Sequence, residues 1–212
     1  MNFFDLITSL CYTTGVTSTP PTTFDSSDDE TFKYKQYLNQ ANSDIIKKLP
    51  WNFRNKTLNF STVIGQVEYT RPTGTIKKVY YDGKELRFIE DENLLDTATG
   101  APTGYYINHE TNMIGIYNTP DAVYSVDIKY ITNYQAMDAL LTLKSSMTLE
   151  TDTSIIPIDY QDLIVMGAEI IFIRDKQNRS QSQAQINYNN RLDELITYDR
   201  GTLEATPSIS AY

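Results

Sequence analysis

Cysteine and histidine are almost absent from this chain of 212 residues, because each occurs once, as Cys11 and His109. A single cysteine cannot form an internal disulfide, and one residue of each kind excludes a zinc site built from cysteine and histidine. His109 falls in a predicted turn, so a solvated turn histidine explains it better than a Ser-His-Asp triad does. No phosphate-binding or dinucleotide-binding glycine motif is present either. We therefore predict no catalytic residue, no metal and no cofactor.

Long apolar runs and an excess of basic residues are also lacking. The longest apolar stretch, residues 163–173, contains Glu169 and is shorter than a bilayer span. Residues 1–10 have neither the basic start nor the long apolar run of a signal peptide. The net charge of −9 disfavours binding to the outside of nucleic acids and to anionic membranes. We expect a soluble protein of the cell interior, or of a particle assembled there, with no membrane partner.

The amino-terminal part shows helical patterns. Residues 2–14 predict a short amphipathic helix, which Gly15 can end in the left-handed conformation. Ser27 and Glu30 have the spacing of a capping box at the start of a longer helix, and Pro50 ends that helix. The apolar stripe of the longer helix consists of Tyr34, Leu38, Ala41, Ile45 and Leu49.

Residues 56–131 change to the alternating period of β-strands. Asp82 and Gly83 predict a type I′ turn in the clearest hairpin of the chain. Tyr105 and Tyr106 are adjacent on one strand, so we expect one ring to point inward and the other outward. That arrangement is ordinary for sheets and gives little support to a sugar-binding site. The pattern predicts an antiparallel sheet of about six or seven strands, as a sandwich or partial barrel.

The carboxyl-terminal part returns to helices. Residues 132–158 form a predicted connection with weak helical character around Met137 to Leu143. Asp159 then begins a helix that is apolar nearly all round, which indicates burial on several sides. A polar helix with a narrow apolar stripe follows from Ser180, and residues 201–212 are predicted to be extended.

These patterns predict an α+β fold, in which a helical bundle from both ends of the chain carries an inserted antiparallel β-sandwich or barrel-like module. The predicted divisions are 1–50 for the first bundle helices, 51–131 for the β module, 132–200 for the connection and the last bundle helices, and 201–212 for an extended tail. Trp51, the only tryptophan, lies where the chain leaves the bundle.

Three features point to contacts with other subunits: the polar last helix, the extended tail and the sixteen tyrosines. A surface helix with a frayed tail explains the first two equally well, so the residues alone leave both interpretations open. Glu169 is unusual in an apolar helix, and we expect it to bond across the bundle or at a subunit contact rather than to catalyse.

The order of these parts resembles the head-to-tail adaptor, or head-completion connector, proteins of short-tailed bacteriophages. The similarity covers almost the whole chain, and no single motif in it is as specific as the shared order. The segments that carry it are DLITSLCYTTGV, TFKYKQYLNQANSDIIKKLPWNF, KTLNFSTVIGQVEYTRP, KKVYYDGKEL, TGAPTGYYINHETNMIGIYNTPDAVYSVDIKY and IPIDYQDLIVMGAEIIFI.

This resemblance implies a structural virion protein of the neck or tail that forms a ring, typically a dodecamer, beneath the portal. It implies that the helical part and the tail dock on the portal, and that the β module faces a downstream nozzle or tube protein. Trp51 and Phe53 would anchor the β module to the bundle, and DNA would pass through the lumen without specific binding. Assembly is expected in the host cytoplasm, with residues 24–29 and 202–212 becoming ordered on docking. The candidate contacts to the portal or to a neighbouring copy are Ile186, Leu192, Leu195, Ile196, Leu203, Ile209 and Tyr212.

Two alternatives stay open. A different virion ring, of the tail-terminator type, would make no portal contact through its carboxyl-terminal tail. A carboxylate-based cell-wall glycosidase carried in the particle would place two acids in one cleft, one of them with a raised pKa.

Overall fold

The computed structural model describes residues 1–15, 21–24, 29–90, 98–176 and 182–204. The chain divides into two compact units, one of Met1–Phe53 with Tyr134–Tyr212 and one of Arg54–Asn133. The first unit carries the helices and the second is built of β-strands, so the predicted α+β fold with an inserted sheet module is confirmed. None of the helices in the described ranges is long and apolar enough to cross a membrane.

The first helix begins and ends at local signals that the sequence contains. The Asn2 side chain accepts a hydrogen bond from the Asp5 N–H at 2.8 Å, and the Asp5 carboxylate accepts one from the Asn2 N–H at 2.9 Å. Gly15 ends the helix with a φ of +63°, as predicted. The Ser27 capping box lies outside the described residues. The helices are α1 (Phe3–Thr14), α2 (Asp29–Lys48), α3 (Asp162–Lys176) and α4 (Ser182–Glu204).

Helix α3 lies at the centre of the helical unit and packs against α1, α2 and α4. Its apolar surface on several sides is thereby buried, which confirms the expectation from its sequence. The Phe172 ring on α3 meets the rings of Tyr34 and Tyr37 on α2, with centroids 6.0 and 6.3 Å apart. A methyl group at Gly167 would lie 3.1 Å from Ala41 Cβ, so the glycine lets α2 and α3 approach closely.

Helix α4 continues to Glu204, so residues 201–204 are helical where the sequence predicted the start of an extended tail. Gly201 lowers helix propensity by only about 1 kcal/mol, and no proline follows it before residue 207 to stop the helix. Residues 205–212 lie outside the described part of the chain.

The predicted weak helix around Met137 to Leu143 is wrong, because this segment forms a β-hairpin. Its strands β9 (Ala136–Met137) and β10 (Leu143–Lys144) pair antiparallel, and β11 (Thr153–Ser154) pairs antiparallel with the other edge of β9. Buried Asn42 of α2 fixes this small sheet, since its amide donates to the Gln135 carbonyl at 3.1 Å and accepts from the Ser154 hydroxyl at 2.6 Å. Such long-range bonds override a weak local preference.

The β unit contains two four-stranded sheets with one apolar core between them. Arg87–Phe88 pairs in parallel with Gly104–Asn108, and the other pairs between the described strands of this unit are antiparallel. One sheet has the order β1-β8-β3-β4, with β1 (Asn55–Ser61), β8 (Ser125–Thr132), β3 (Gly74–Tyr81) and β4 (Lys84–Glu85). The other has the order β2-β7-β6-β5, with β2 (Glu68–Thr70), β7 (Met113–Tyr117), β6 (Gly104–Asn108) and β5 (Arg87–Phe88).

The predicted Asp82-Gly83 turn is confirmed, since both residues have positive φ angles, +49° and +71°, as a type I′ turn requires. The second strand of the hairpin ends at Glu85, and buried Leu86 separates β4 from β5. The two strands therefore join different sheets.

Tyr105 and Tyr106 are both buried, contrary to the expected inward and outward pair. Tyr105 belongs to the core between the sheets, and Tyr106 pairs with Gly115 on the neighbouring strand. The Tyr106 ring occupies the space that a side chain at Gly115 would need, since a Cβ there would lie 2.1 Å from the ring Cζ.

We expect the Gly115→Ala substitution to lower the free energy of unfolding of the β unit by about 1–3 kcal/mol, because the methyl group would displace the Tyr106 ring. Urea unfolding monitored by circular dichroism measures this loss. The matched control is the same substitution in a Tyr106→Ala background, where the methyl group has room. An equal loss in both backgrounds would contradict the ring-on-glycine explanation.

Candidate interaction surfaces

The apolar stripe of α4 serves mainly the core of its own unit. Leu192 and Leu195 are 3% and 0% exposed, and Ile196 packs against the same core. Of the predicted partner contacts with described side chains, only Ile186 is largely exposed, at 51%. The Leu203 side chain, Ile209 and Tyr212 lie outside the described residues.

Arg191 fixes α4 to the start of α3, a role that its sequence context did not indicate. Its Nε donates to the Asp162 carboxylate at 2.8 Å, and its other nitrogens donate to Glu194 and to the Asp159 carbonyl. The guanidinium also lies over the Tyr160 ring, 4.7 Å from the centroid. Helix α4 is thus held in place within one chain, which leaves its outer face for other partners.

Trp51 and Phe53, the predicted anchor, lie together at the end of the first helical segment. Trp51 is 1% exposed in the core of the helical unit, and its indole N–H donates to the Ile45 carbonyl at 2.8 Å. The Phe53 ring stacks on the indole with centroids 5.5 Å apart. The indole therefore satisfies one of the carbonyls that the end of α2 leaves without a helical partner.

The same point is tied to the far end of α4. The Asn52 N–H donates to both carboxylate oxygens of Asp199, at 3.0 and 2.9 Å, and the Asn52 amide donates to the Asp199 carbonyl at 2.8 Å. Asp199 is 8% exposed, so these bonds are sheltered from water. They fix the position at which the chain leaves the helical unit, and nothing in the local sequence signalled this pairing.

A groove of about 460 Å³ lies between α1, α3 and α4. Thr13, Val165, Met166 and Ala184 line much of it, and Glu169 is one of the two acids in its wall. Burial raises the pKa of the Glu169 carboxyl, and this carboxyl has no hydrogen-bond partner among the described residues. The expected bond of Glu169 across the bundle is therefore not seen in the described part of the chain, and a subunit contact stays open.

Asp162 lines the same groove, so the structure does place two acids in one cleft, as the glycosidase alternative requires. Asp162, however, is bonded to Arg191, and it lies seven residues before Glu169 on a single helix. Its charge is therefore already compensated, whereas a glycosidase pair needs a free carboxylate to act as nucleophile or base. His109 is exposed in its turn, and the described residues contain no cluster suited to a metal ion.

The hairpin of β9 and β10 presents two leucines to solvent. Leu140 is 87% exposed and Leu141 is 73% exposed. The Asp138 carboxylate holds the tip by accepting hydrogen bonds from the N–H groups of Leu140 and Thr142, at 2.9 and 2.8 Å. The tip is therefore an ordered apolar projection, which the helical interpretation of this segment could not have revealed.

Asp152 organises the loop between this hairpin and β11. Its side chain is fully buried, and one carboxylate oxygen accepts from Lys144 at 2.5 Å, from the Thr148 N–H at 2.6 Å and from the Leu149 N–H at 2.8 Å. Burial alone would raise the pKa of Asp152, but the hydrogen bonds from Leu149, Lys144 and Thr148 together lower it.

Comparison with known proteins gives one family match. A family model described as SU10 adaptor protein matches residues 1–209. No curated protein matches the chain.

Proposed function

We propose a ring-forming role in the neck of a phage, and the premise is that the chain belongs to the SU10 adaptor protein family. Membership makes it a phage adaptor and a virion component, as the resemblance to head-to-tail adaptors predicted, and indicates a structural, non-enzymatic protein. In the role we propose, copies form a ring, a dodecamer, between the portal and the tail after synthesis in the host cytoplasm, and no chemistry on a substrate is involved.

In this proposal the helical unit binds the portal and the neighbouring copies. The observation that best supports this proposal is that Arg191, Leu192 and Leu195 hold α4 against its own chain, while Ile186 stays exposed. An apolar side chain on an otherwise polar helix face suits a subunit contact. Leu192 and Leu195 are already used by the core, so the portal contacts fall to Ile186, to residues 205–212 and to the outer face of α4.

The β module would present its loops to the downstream nozzle or tube protein. Trp51 and Phe53, with the Asn52–Asp199 bonds, would fix the segment at which the chain leaves the helical unit and enters the β module. The net charge of −9 fits a lumen through which DNA passes without adhering.

Ordering a tail segment costs roughly 1–2 kcal/mol per residue in backbone entropy. A lone subunit is therefore expected to bind the portal weakly, and a ring of copies to bind strongly, because each bound copy raises the effective concentration of the others.

The test is native mass spectrometry of the protein alone and mixed with the portal ring of the same phage. We expect a mostly monomeric protein that joins the portal in stoichiometric copies, and loss of that complex when residues 205–212 are removed. Ile186→Asp should weaken the complex by about tenfold or more, since a charge would be buried at the contact.

The matched control is Gln40→Asp, which adds the same charge at an exposed position of α2, a helix that is assigned no portal contact. Both variants should unfold as the parent protein does, since surface changes stay within about 0.5 kcal/mol. Absence of a portal complex with the intact chain would overturn the proposed function.

A further inference from the structure

We propose that the leucine tip, residues Leu140 and Leu141, of one copy inserts into the groove between α1, α3 and α4 of the neighbouring copy. This inference rests on the proposed ring, and it names the surfaces that join its members. The occupant of the groove is thus a second copy of this chain.

The tip has the properties of a preformed ligand. Four hydrogen bonds close it, two to the Asp138 carboxylate and two between the backbone groups of residues 138, 141 and 142. Leu141 has a φ of +63°, a conformation that a leucine side chain disfavours and that glycine or asparagine would adopt more easily. Leu141 is thus held against its local preference, and both leucines are exposed to water, which indicates that these side chains are needed there for contact.

The groove has complementary properties. Its volume of about 460 Å³ accommodates two aliphatic side chains, and Val165, Met166 and Ala184 provide apolar walls. Burial raises the pKa of Glu169, so its carboxyl is protonated more easily, and the neutral form is the one that an apolar occupant covers at the lower cost. Neither leucine of the tip lines the groove of its own chain.

Charge also favours this pairing. Asp162 is already paired with Arg191, but the carboxylate of Glu169 would repel an acidic occupant. Asp138, the acid next to the tip, turns its carboxylate toward the N–H groups of Leu140 and Thr142 and away from the groove's acid. The side chains that enter the groove in this contact are therefore those of Leu140 and Leu141.

The two surfaces are different patches of the same helical unit, so contact between them is heterologous rather than two-fold. A heterologous contact repeats from one copy to the next. It closes into a ring when a whole number of copies, each rotated by the same angle, completes one full turn. This is the type of contact that the proposed assembly needs.

The test uses two variants that each carry one added cysteine, Leu140→Cys and Met166→Cys, mixed in equal amounts and assembled on the portal ring of the same phage. Native Cys11 is buried and is present in every sample, including a parent control. A short bifunctional maleimide should link the two variants to each other and should give no dimer with either variant alone. The matched control replaces Leu140→Cys with Leu149→Cys, another exposed leucine, 57% accessible, that lies outside the tip.

A second measurement does not depend on cysteines. Leu140→Asp should reduce ring formation on the portal by about tenfold or more, because it adds a charge opposite Glu169 and removes apolar contact. Leu149→Asp should leave ring formation unchanged, and both variants should unfold like the parent.

The outcomes separate this inference from the proposed function. A ring that forms without a cross-link between the Leu140→Cys and Met166→Cys variants, or that tolerates Leu140→Asp, overturns the tip-in-groove contact and leaves the adaptor ring intact. Failure of the parent chain to form any ring on the portal overturns both.

Discussion

Replacing Trp51 with alanine is expected to lower the free energy of unfolding of the helical unit by about 3–5 kcal/mol. The indole is 1% exposed, stacks on Phe53 and donates to the Ile45 carbonyl. Alanine would leave a large cavity and an unsatisfied carbonyl at the end of α2. Urea unfolding followed by far-ultraviolet circular dichroism measures the change, since Trp51 is the only tryptophan and the variant has no indole fluorescence.

Trp51→Phe is the matched control, because it keeps most of the buried ring and removes the indole N–H. It should cost about 1–3 kcal/mol, the usual penalty for a buried carbonyl left without its donor together with a smaller packing defect. If Trp51→Ala cost less than about 1 kcal/mol, well below the usual loss for a buried aromatic ring, its predicted anchoring role would have to be abandoned.

The Asp152→Asn substitution is expected to lower the free energy of unfolding by about 3 kcal/mol at neutral pH, because it leaves Lys144 without its buried partner. It also weakens the hydrogen bonds that Thr148 and Leu149 donate. Thermal and urea unfolding of the variant and the parent measure the loss. Asp193→Asn is the matched control, since it removes the same charge from an exposed position on α4 and should change stability by less than about 0.5 kcal/mol.

The contribution of Asp152 depends on pH in a defined direction. The pKa of Asp152 is lower in the folded protein than its ordinary value of 3.8, so the unfolded chain takes up the proton first as the pH falls. The stabilisation is complete above about pH 4–5 and declines as the pH falls below that value toward the folded pKa. The stability difference between the parent and Asp152→Asn should therefore shrink at acidic pH. A difference that stays constant from about pH 7 to about pH 2 would show that the carboxylate charge is not involved.

Local signals explain why much of the fold could be predicted. The Asn2–Asp5 reciprocal bonds and Gly15 set the ends of α1, although the sequence reasoning used only the glycine. Asp82 and Gly83 determine a turn whose backbone conformation few other pairs adopt. In each case the residues that form the structure are neighbours in the chain, so a single sequence contains the information.

The features that sequence reasoning missed depend on partners that are distant in the chain. Met137 to Leu143 carry a weak helical preference, but pairing with β11 and the Asn42 bonds decide their conformation. The stripe of α4 shows that Leu192 and Leu195 are apolar, and an apolar stripe alone cannot distinguish a partner contact from a core contact. Both residues lie in the core, because α4 packs on α3.

The candidate interaction surfaces also divide into those that local sequence indicates and those that need residues distant in the chain. Ile186 could be found from its position on a polar helix, and Glu169 from its place in an apolar one. The groove beside Glu169 required three helices to meet, and the leucine tip required a hairpin that local preference did not predict. The interaction surfaces were therefore only partly accessible from the sequence.

Electron cryomicroscopy of the protein mixed with the portal ring of the same phage tests the central claim most directly. The account predicts a closed ring of copies stacked coaxially on the portal, with each leucine tip in the groove of the next copy. Portal particles without added density, or isolated copies bound without contact to one another, would contradict the adaptor-ring account.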